Sequence, residues 1–562
     1  MNRLEKGETM KPEMQEEEEG ARAESLARGF LRGDLSRRDF LRRAGGFSAA
    51  ALASTSLGSV LAACSKKKST TSGGTGPTGS TAAGSVKPGG TLQAALTGEP
   101  DTLDPATSTI YTGAQVYDNI FSKLIDIDTD GSLVGVLATD WNATDAKTWV
   151  FNLVDNATFH NGEAFTADDV KYTFERILDP KTASSYSPLY DAIKTVEAAS
   201  PTQAIFHLKS PFGPFLSNLA NNGEIVNQKA VEAADPARNP VGTGPFKFVE
   251  WVQGDHITLQ KFDGYFKEGK PFLDGIEFKF LLVDQGRIDG LSSGELNWVD
   301  AVPLQSLSSL SSDPSFTYVT SATAGIPDFL ALNTTKAPFD DKLVRQAVYW
   351  ALDRTQIRDV AYSGAGEVGI EEVPTGSTWF DGAAPVAPDI GKANGLMAQA
   401  GFANGLTVEY LGLPQYPELL KTGEVVREQL KQIGITMNIK QVDVSVWFNA
   451  FVKGNYQITS AYQERTIDPD NFYSLVLRTG GAINTTFYSN PAADALIDQA
   501  RVETDDATRA GLYQQLRQII FDDVPLIFAH YETINYLMNP NVAGSTVNPT
   551  LELRMENVGF TA

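Results

Sequence analysis

The sequence holds one cysteine, Cys64, and four histidines in 562 residues. A lone cysteine forms no internal disulfide, and His160, His207, His256 and His530 lack the close ligand spacing of a dedicated metal centre, so neither a metal nor another cofactor is expected. Four histidines, none in a motif that suggests a general base, also argue against an enzyme. Positive charge is short: 46 Lys and Arg face 69 Asp and Glu, a net charge of −23. Phosphate binding needs a basic surface, which excludes nucleic acid as the partner. Long hydrophobic runs are missing too. Phe47 to Leu61 is diluted by Ser48, Ser54, Thr55, Ser56, Gly58 and Ser59, and it falls short of the about 20 strongly apolar residues of a spanning helix.

What is present begins with an export signal. Ser36-Arg37-Arg38-Asp39-Phe40-Leu41-Arg42 precedes the apolar run and Leu61-Ala62-Ala63-Cys64 ends it. The paired arginines resemble a twin-arginine signal, and the tetrapeptide resembles a bacterial lipobox, whose cysteine becomes the lipidated first residue of the mature protein. Residues 1–64 are therefore read as a lipoprotein signal. The acidic run Glu16 to Glu19 makes its leading region long and leaves Met10 as a second candidate start. Residues 65–88 are Ser, Thr, Gly and Lys with almost no large apolar side chain; they bury too little to offset their ordering entropy and read as a flexible tether. The product would be a body outside the cytoplasmic membrane, held to it by lipid on Cys64.

About 500 residues remain, more than a single core supports, which requires at least two domains. Gly89 to Leu96 and Thr148 to Phe151 read as strands. An Asn-Gly turn follows at Phe159-His160-Asn161-Gly162, with His160 as a structural turn residue, and Thr166 with Asp169 forms a capping box that opens a helix over Ala167 to Ile177. In Asn239-Pro240-Val241-Gly242-Thr243-Gly244-Pro245-Phe246 the glycines suggest backbone conformations closed to other residues, and the Lys-Ser/Thr ending of a phosphate loop is absent. After Pro338, Leu343, Ala347 and Ala351 beside Val344, Val348 and Leu352 form one apolar stripe, the mark of a packing helix with Asp340 and Asp341 at its positive end. Strand Thr407 to Leu411, helix Glu418 to Gln432 and strand Ile435 to Ile439 make a crossover unit on a parallel sheet.

The Glu99-Pro100-Asp101-Thr102-Leu103-Asp104-Pro105 opening, Leu137-Ala138-x-x-Trp141, Phe159 to Gly162, Asn239 to Phe246, Gly294 to Asp300, Pro338-Phe339-Asp340-Asp341 and Asp468-Pro469-Asp470-Asn471-Phe472 stand in an order that resembles the bacterial extracellular solute-binding proteins of the oligopeptide, dipeptide and nickel type (family 5). The resemblance covers about Gly89 to Phe560. It implies an α/β fold of two lobes with a hinge and a subdomain inserted in the N-terminal lobe: lobe I over 89–125, 239–331 and 526–562, the insertion over 126–238, and lobe II over 332–525. It also implies a monomer that captures a peptide or other small-molecule ligand and delivers it to the permease subunits of an ATP-driven (ABC) importer. In the family's peptide binders, an aspartate three residues before the Asp-Pro-Asp-Asn-Phe motif holds the peptide's ammonium. Arg465 stands there instead. A cation repels an ammonium but suits an anionic or hydroxyl-rich group, which keeps an oligosaccharide, an opine-like acid, a metal chelate or a sensor or chaperone role open beside peptides. Glu464 is the neighbouring carboxylate, and Tyr462, Trp379, Trp447 and Tyr111 are the aromatic candidates for the pocket.

Overall fold

The computed structural model describes residues 86–108, 110–463 and 467–561, with backbone alone for 321–324. The signal, Cys64, nearly all of the tether, Glu464 and Arg465 lie outside the described residues.

Ten strands form the main sheet: β1 (Thr91–Leu96), β2 (Phe246–Val252), β3 (His256–Lys261), β4 (Gly275–Phe280), β5 (Trp298–Asp300), β6 (Thr317–Leu332), β7 (Leu406–Gly412), β8 (Ile435–Gln441), β9 (Ile458–Tyr462) and β10 (Leu526–Met538). Their order is β8-β7-β9-β6-β10-β5-β1-β4-β3-β2, and the short strand Glu367–Val368 pairs with β10. At one end β1 runs parallel to β4 and β5; at the other β7 runs parallel to β8 and β9. Parallel strands need crossover helices, which cover their faces and bury them. Between β7 and β8 the crossover is the helix Pro417–Leu430 with one further 3₁₀ turn, as the hydrophobic spacing anticipates.

The two ends are joined by β6 and β10, long strands that pair antiparallel with each other. β6 pairs β9 through Asp328–Leu332, whereas β10 pairs β5 through Tyr536–Met538. The domain boundaries drawn from the sequence, Leu332 and Leu526, both fall at the ends of these strands. β10 reads Leu-Ile-Phe-Ala-His-Tyr over its first half and is buried there on both sides, the pattern of a strand covered on two faces. The ladder breaks between Thr320 and Gly325, where β6 carries extra residues; a bulge bends and twists the strand that carries it. One two-lobed α/β body results, joined through the crossing pair.

The insertion carries a four-stranded antiparallel sheet in the order Ala138–Asp145, Thr148–Leu153, Gln203–Leu208, Ile193–Ser200. Its core is aromatic: Phe151, Phe206 and Phe215 meet edge to face, with ring centroids 5.3 to 6.5 Å apart, the arrangement that ring quadrupoles favour. Helix Ala167–Leu178 covers it, opened by the capping box in which the Thr166 amide donates to Asp169 Oδ2 at 3.0 Å. His160 fastens this unit to the glycine loop. Gly242 N–H donates to its Nδ1 at 3.4 Å and its Nε2 donates to the Gly244 carbonyl at 3.0 Å, which fixes a neutral tautomer; burial lowers its pKa to about 4. The loop's glycines serve a different purpose from the one expected. Neither Gly242 nor Gly244 has positive φ. Instead a Cβ on Gly242 would stand 2.1 Å from the Ile120 carbonyl oxygen, and one on Gly244 would stand 2.6 Å from the Ile120 carbonyl carbon. Close backbone approach is what requires them.

Helix Lys342–Ala351 packs as its stripe demands, burying Val344, Ala347, Val348 and Ala351, with Asp341 capping the Leu343 amide at 2.8 Å. One strand residue is costly. Asp300 is 2% exposed, accepts from Gln115 Nε2 at 3.1 Å, and has its pKa pushed up to about 6 by burial. A carboxylate whose folded pKa is raised lowers stability above that pKa, and the loss is recovered as pH falls toward the unfolded value. Asp300→Asn should therefore be more stable than wild type at pH 7 by up to about 3 kcal/mol. The advantage should vanish by about pH 4, as urea unfolding at both pH values would measure; an equal difference at both would show that Asp300 is not the titrating group.

Candidate functional site

A cavity of about 200 Å³ opens beside the break in β6. The insertion supplies one wall, with Trp149, Phe212, Gly213 and Ser217; the opposite wall comes from the C-terminal half, with Pro374, Gly376 to Trp379, Ile467, Thr504, Asp506 and Arg509. Gly325 of β6 forms the floor with Pro549 and Leu551. Apolar rings and a few placed polar groups are the composition of a small-molecule site. At about 30 Å³ per liquid water, the space admits about seven waters, enough for a short solute.

Asp468 organises the second wall. It is fully buried and caps the short helix Pro469–Phe472 through the Asp470 amide at 3.0 Å. Its Oδ1 accepts from Arg509 Nη2 at 2.7 Å, and its Oδ2 accepts from the Ser217 hydroxyl at 3.2 Å. Ser217 belongs to the other wall, so this carboxylate closes the cleft. Burial alone would lower the Arg509 pKa, but the Asp468 charge and the Tyr513 hydroxyl hold it above the usual guanidinium value. At neighbouring Asp470 burial outweighs the compensation: it lifts the pKa to about 6, against the pull of Arg501 at 3.4 Å.

Trp379 lines the cavity half-buried, with the Arg509 guanidinium 4.8 Å from its ring centroid and Tyr513 edge-on at 5.9 Å. Its carbonyl accepts from Arg517 Nη2 at 3.1 Å, and Arg517 is held by Glu372 at 2.5 Å and Glu371 at 3.3 Å. Burial and the adjacent Glu372 charge raise the Glu371 pKa to about 9, against the pull of Arg517. The segment that presents the indole is thereby fixed from behind. Tyr462 is buried at the end of β9, its ring 6.0 Å from that of Tyr416, on the strand that leads to Ile467.

Two aromatic candidates are placed elsewhere. Trp447 is fully buried, donates from Nε1 to Thr459 Oγ1 at 2.8 Å and stacks on Phe451 at 4.6 Å; it fills the core, and its indole has no free edge for a ligand. Tyr111 opens helix Tyr111–Tyr117 and packs half-buried on the core cluster of β1, and it is not among the residues that line the cavity. Sequence reasoning missed Arg509, Ser217 and Gly213, whose partners lie 41 to 290 or so residues away, beyond any local spacing signal. It also expected no Gly-x-Ser-x-Gly nucleophile elbow in the body, and that is wrong as to sequence: Gly290-Leu291-Ser292-Ser293-Gly294 has the spacing. Ser292 lies inside helix Asp284–Ser293 and donates to the Ile288 carbonyl at 2.7 Å, so it does not stand on a strand-to-helix turn. Among the described residues no group of His, Cys, Asp and Glu could hold a metal ion.

The two walls meet most tightly at Gly213. Its amide donates to the Arg501 carbonyl at 2.8 Å, and a Cβ there would stand 2.3 Å from the Glu503 carbonyl oxygen and 2.6 Å from Arg509 Nε. Gly213→Val should hold the cleft open. The closed state then becomes a minor one, and affinity for the bound solute should fall by about tenfold or more, with little change in the melting temperature of the unliganded protein. Calorimetry together with thermal unfolding checks this; unchanged affinity would show that the walls close without the contact.

Comparisons with known proteins agree on one family. The glutathione-binding protein GsiB of Pectobacterium atrosepticum is 27% identical over 474 residues, covering 82% of this chain and 92% of its own. The solved binding protein AgaA of A. tumefaciens R10, in complex with agropinic acid, is 30% identical with a TM-score of 0.72 over 84% of this chain and 99% of that one. AppA of Bacillus subtilis, an oligopeptide-binding protein solved with a nonapeptide, is 25% identical, also with a TM-score of 0.72, over 85% and 100%. The family described as bacterial extracellular solute-binding proteins, family 5 Middle, matches residues 132–484, a span that takes in all four strands of the inserted antiparallel sheet, β6 and the Asp468 motif. This chain therefore belongs to the bacterial extracellular solute-binding proteins of family 5, binding proteins and not enzymes.

Proposed function

We propose that the protein is the solute-capturing lipoprotein of an ATP-driven importer. Lipid on Cys64 anchors it outside the cytoplasmic membrane, the tether of residues 65–88 lets the body swing, and the body, a monomer, closes on a short peptide or peptide-like solute and hands it to the permease. The observation that carries this reading is the closing bond from Ser217 to Asp468 across a cavity of about 200 Å³. The division into lobe I (89–125, 239–331, 526–562), insertion (126–238) and lobe II (332–525) goes with it, hinged at β6 and β10.

Ligand contacts are assigned to Trp379, Tyr462, Glu464 and Arg465. A free ammonium against Arg465 would meet repulsion of about 4 kcal/mol at 4 Å for an effective dielectric of 20, which favours a solute that presents an acid group there. An opine-like acid is the second reading, supported by the 30% identical neighbour solved with agropinic acid; the relative that binds glutathione supports a modified acidic peptide.

Calorimetry against unmodified di- and tripeptides, glutathione and an opine acid is the test. The acidic solutes should bind, the plain peptides should bind about tenfold more weakly or worse, and Arg465→Asp should reverse that order. Tight binding of plain peptides, unaltered in Arg465→Asp, would remove the acidic-ligand reading. For the anchor, Cys64→Ser should move the protein from the membrane fraction to the soluble one; retention with the signal still cleaved would exclude lipid attachment.

A further inference from the structure

A second cavity in the C-terminal half does not belong to the cleft. It measures about 350 Å³ and lies between helix Lys342–Ala351, the segment around Val386, and the end of helix Asp506–Asp523. The packing helix buries one stripe in the core; its opposite side gives this cavity Gln346, Tyr349 and Trp350.

Arg354 sits in the cavity wall and is 3% exposed. Its Nη2 donates to the Val386 carbonyl at 3.3 Å, its guanidinium lies 4.7 Å from the Tyr349 ring centroid, and its Nε has no hydrogen-bond partner. Among the described residues no carboxylate pairs with it. Arg509 and Arg517, equally buried, each hold carboxylates at bonding distance. A buried guanidinium that lacks a counter-ion carries an uncompensated desolvation cost, and an unsatisfied donor in a native fold calls for an explanation. Lys392 adds a second cation at the mouth, its Nζ 3.5 Å over the Trp350 ring. The cavity's one acid, Asp522, is already engaged, accepting from Gln346 Nε2 at 3.1 Å and paired with Lys342. In a protein of net charge −23, this is a positive recess lined by aromatic rings.

We infer that this recess is a second binding site, for a small organic anion with a flat apolar body. The acid group meets the Arg354 fork, which matches carboxylate geometry, and the body lies against Tyr349, Trp350 and Ile370. The site is independent of the cleft reading, since it shares no side chain with the cleft cavity.

Benzoate, benzamide and acetate at constant ionic strength are the probes, followed by ligand-observed NMR and calorimetry on the whole protein. Benzoate should bind, with benzamide weaker by about tenfold because the charge is lost and acetate weaker because the ring is lost. Arg354→Gln and Trp350→Leu should each reduce benzoate binding about tenfold, and Gly213→Val, which disables only the cleft, should leave it intact. If Arg354→Gln does not fold, the exposed Lys392→Glu decides with Trp350→Leu: weaker binding in both supports the site, and wild-type binding in both overturns it. No binding of benzoate to wild type, equal binding of benzamide, or loss in Gly213→Val would each overturn it as well.

Discussion

The carboxylate of Asp468 must be satisfied from three directions, and the cleft takes its shape from how that is done. A buried charge is costly unless opposite charge and hydrogen bonds surround it. Here the Asp470 amide, the Arg509 fork and the Ser217 hydroxyl do so, and each comes from a different part of the chain. Two belong to one wall and the third to the other. Water can replace a serine hydroxyl at small cost but cannot replace the arginine, so under the closing motion proposed above the same group would support a rigid wall and a reversible latch.

The crossing strands give that latch its leverage. β6 and β10 belong to both halves of one sheet, and the break in their ladder lies beside the cavity floor. Movement can be absorbed where hydrogen bonds are already interrupted, while the paired stretches on either side stay intact. The segment from Ile370 to Val386 reaches further. Its ends line the recess around Arg354 and its middle carries Trp379 into the cleft, so the two cavities share a strip of backbone although they share no side chain.

Much of this was legible in the sequence, and what was hidden has physical reasons. The crossover unit, the capping box at Thr166 and the stripe after Pro338 are periodic or local signals, and each forms as its spacing requires. Gly242 and Gly244 signalled something special but not what, because close approach to Ile120 is a tertiary fact while φ is a local one. Trp447 has the same composition as a pocket residue; only its bond to Thr459 shows that it is core. Arg509 and Arg354 are both buried arginines near helix starts, and nothing local distinguishes the one that has an aspartate from the one that has none.

His160 adds a consequence for a protein that lives outside the cytoplasm. A neutral histidine with its folded pKa depressed to about 4 withdraws stability as pH falls from about 6.5, because the unfolded chain takes up the proton first. Asp300 and Asp470, both raised to about 6, return stability over nearly the same interval. The proton linkages of these three groups are opposite in sign and partly cancel, without any of them being removed from its structural task.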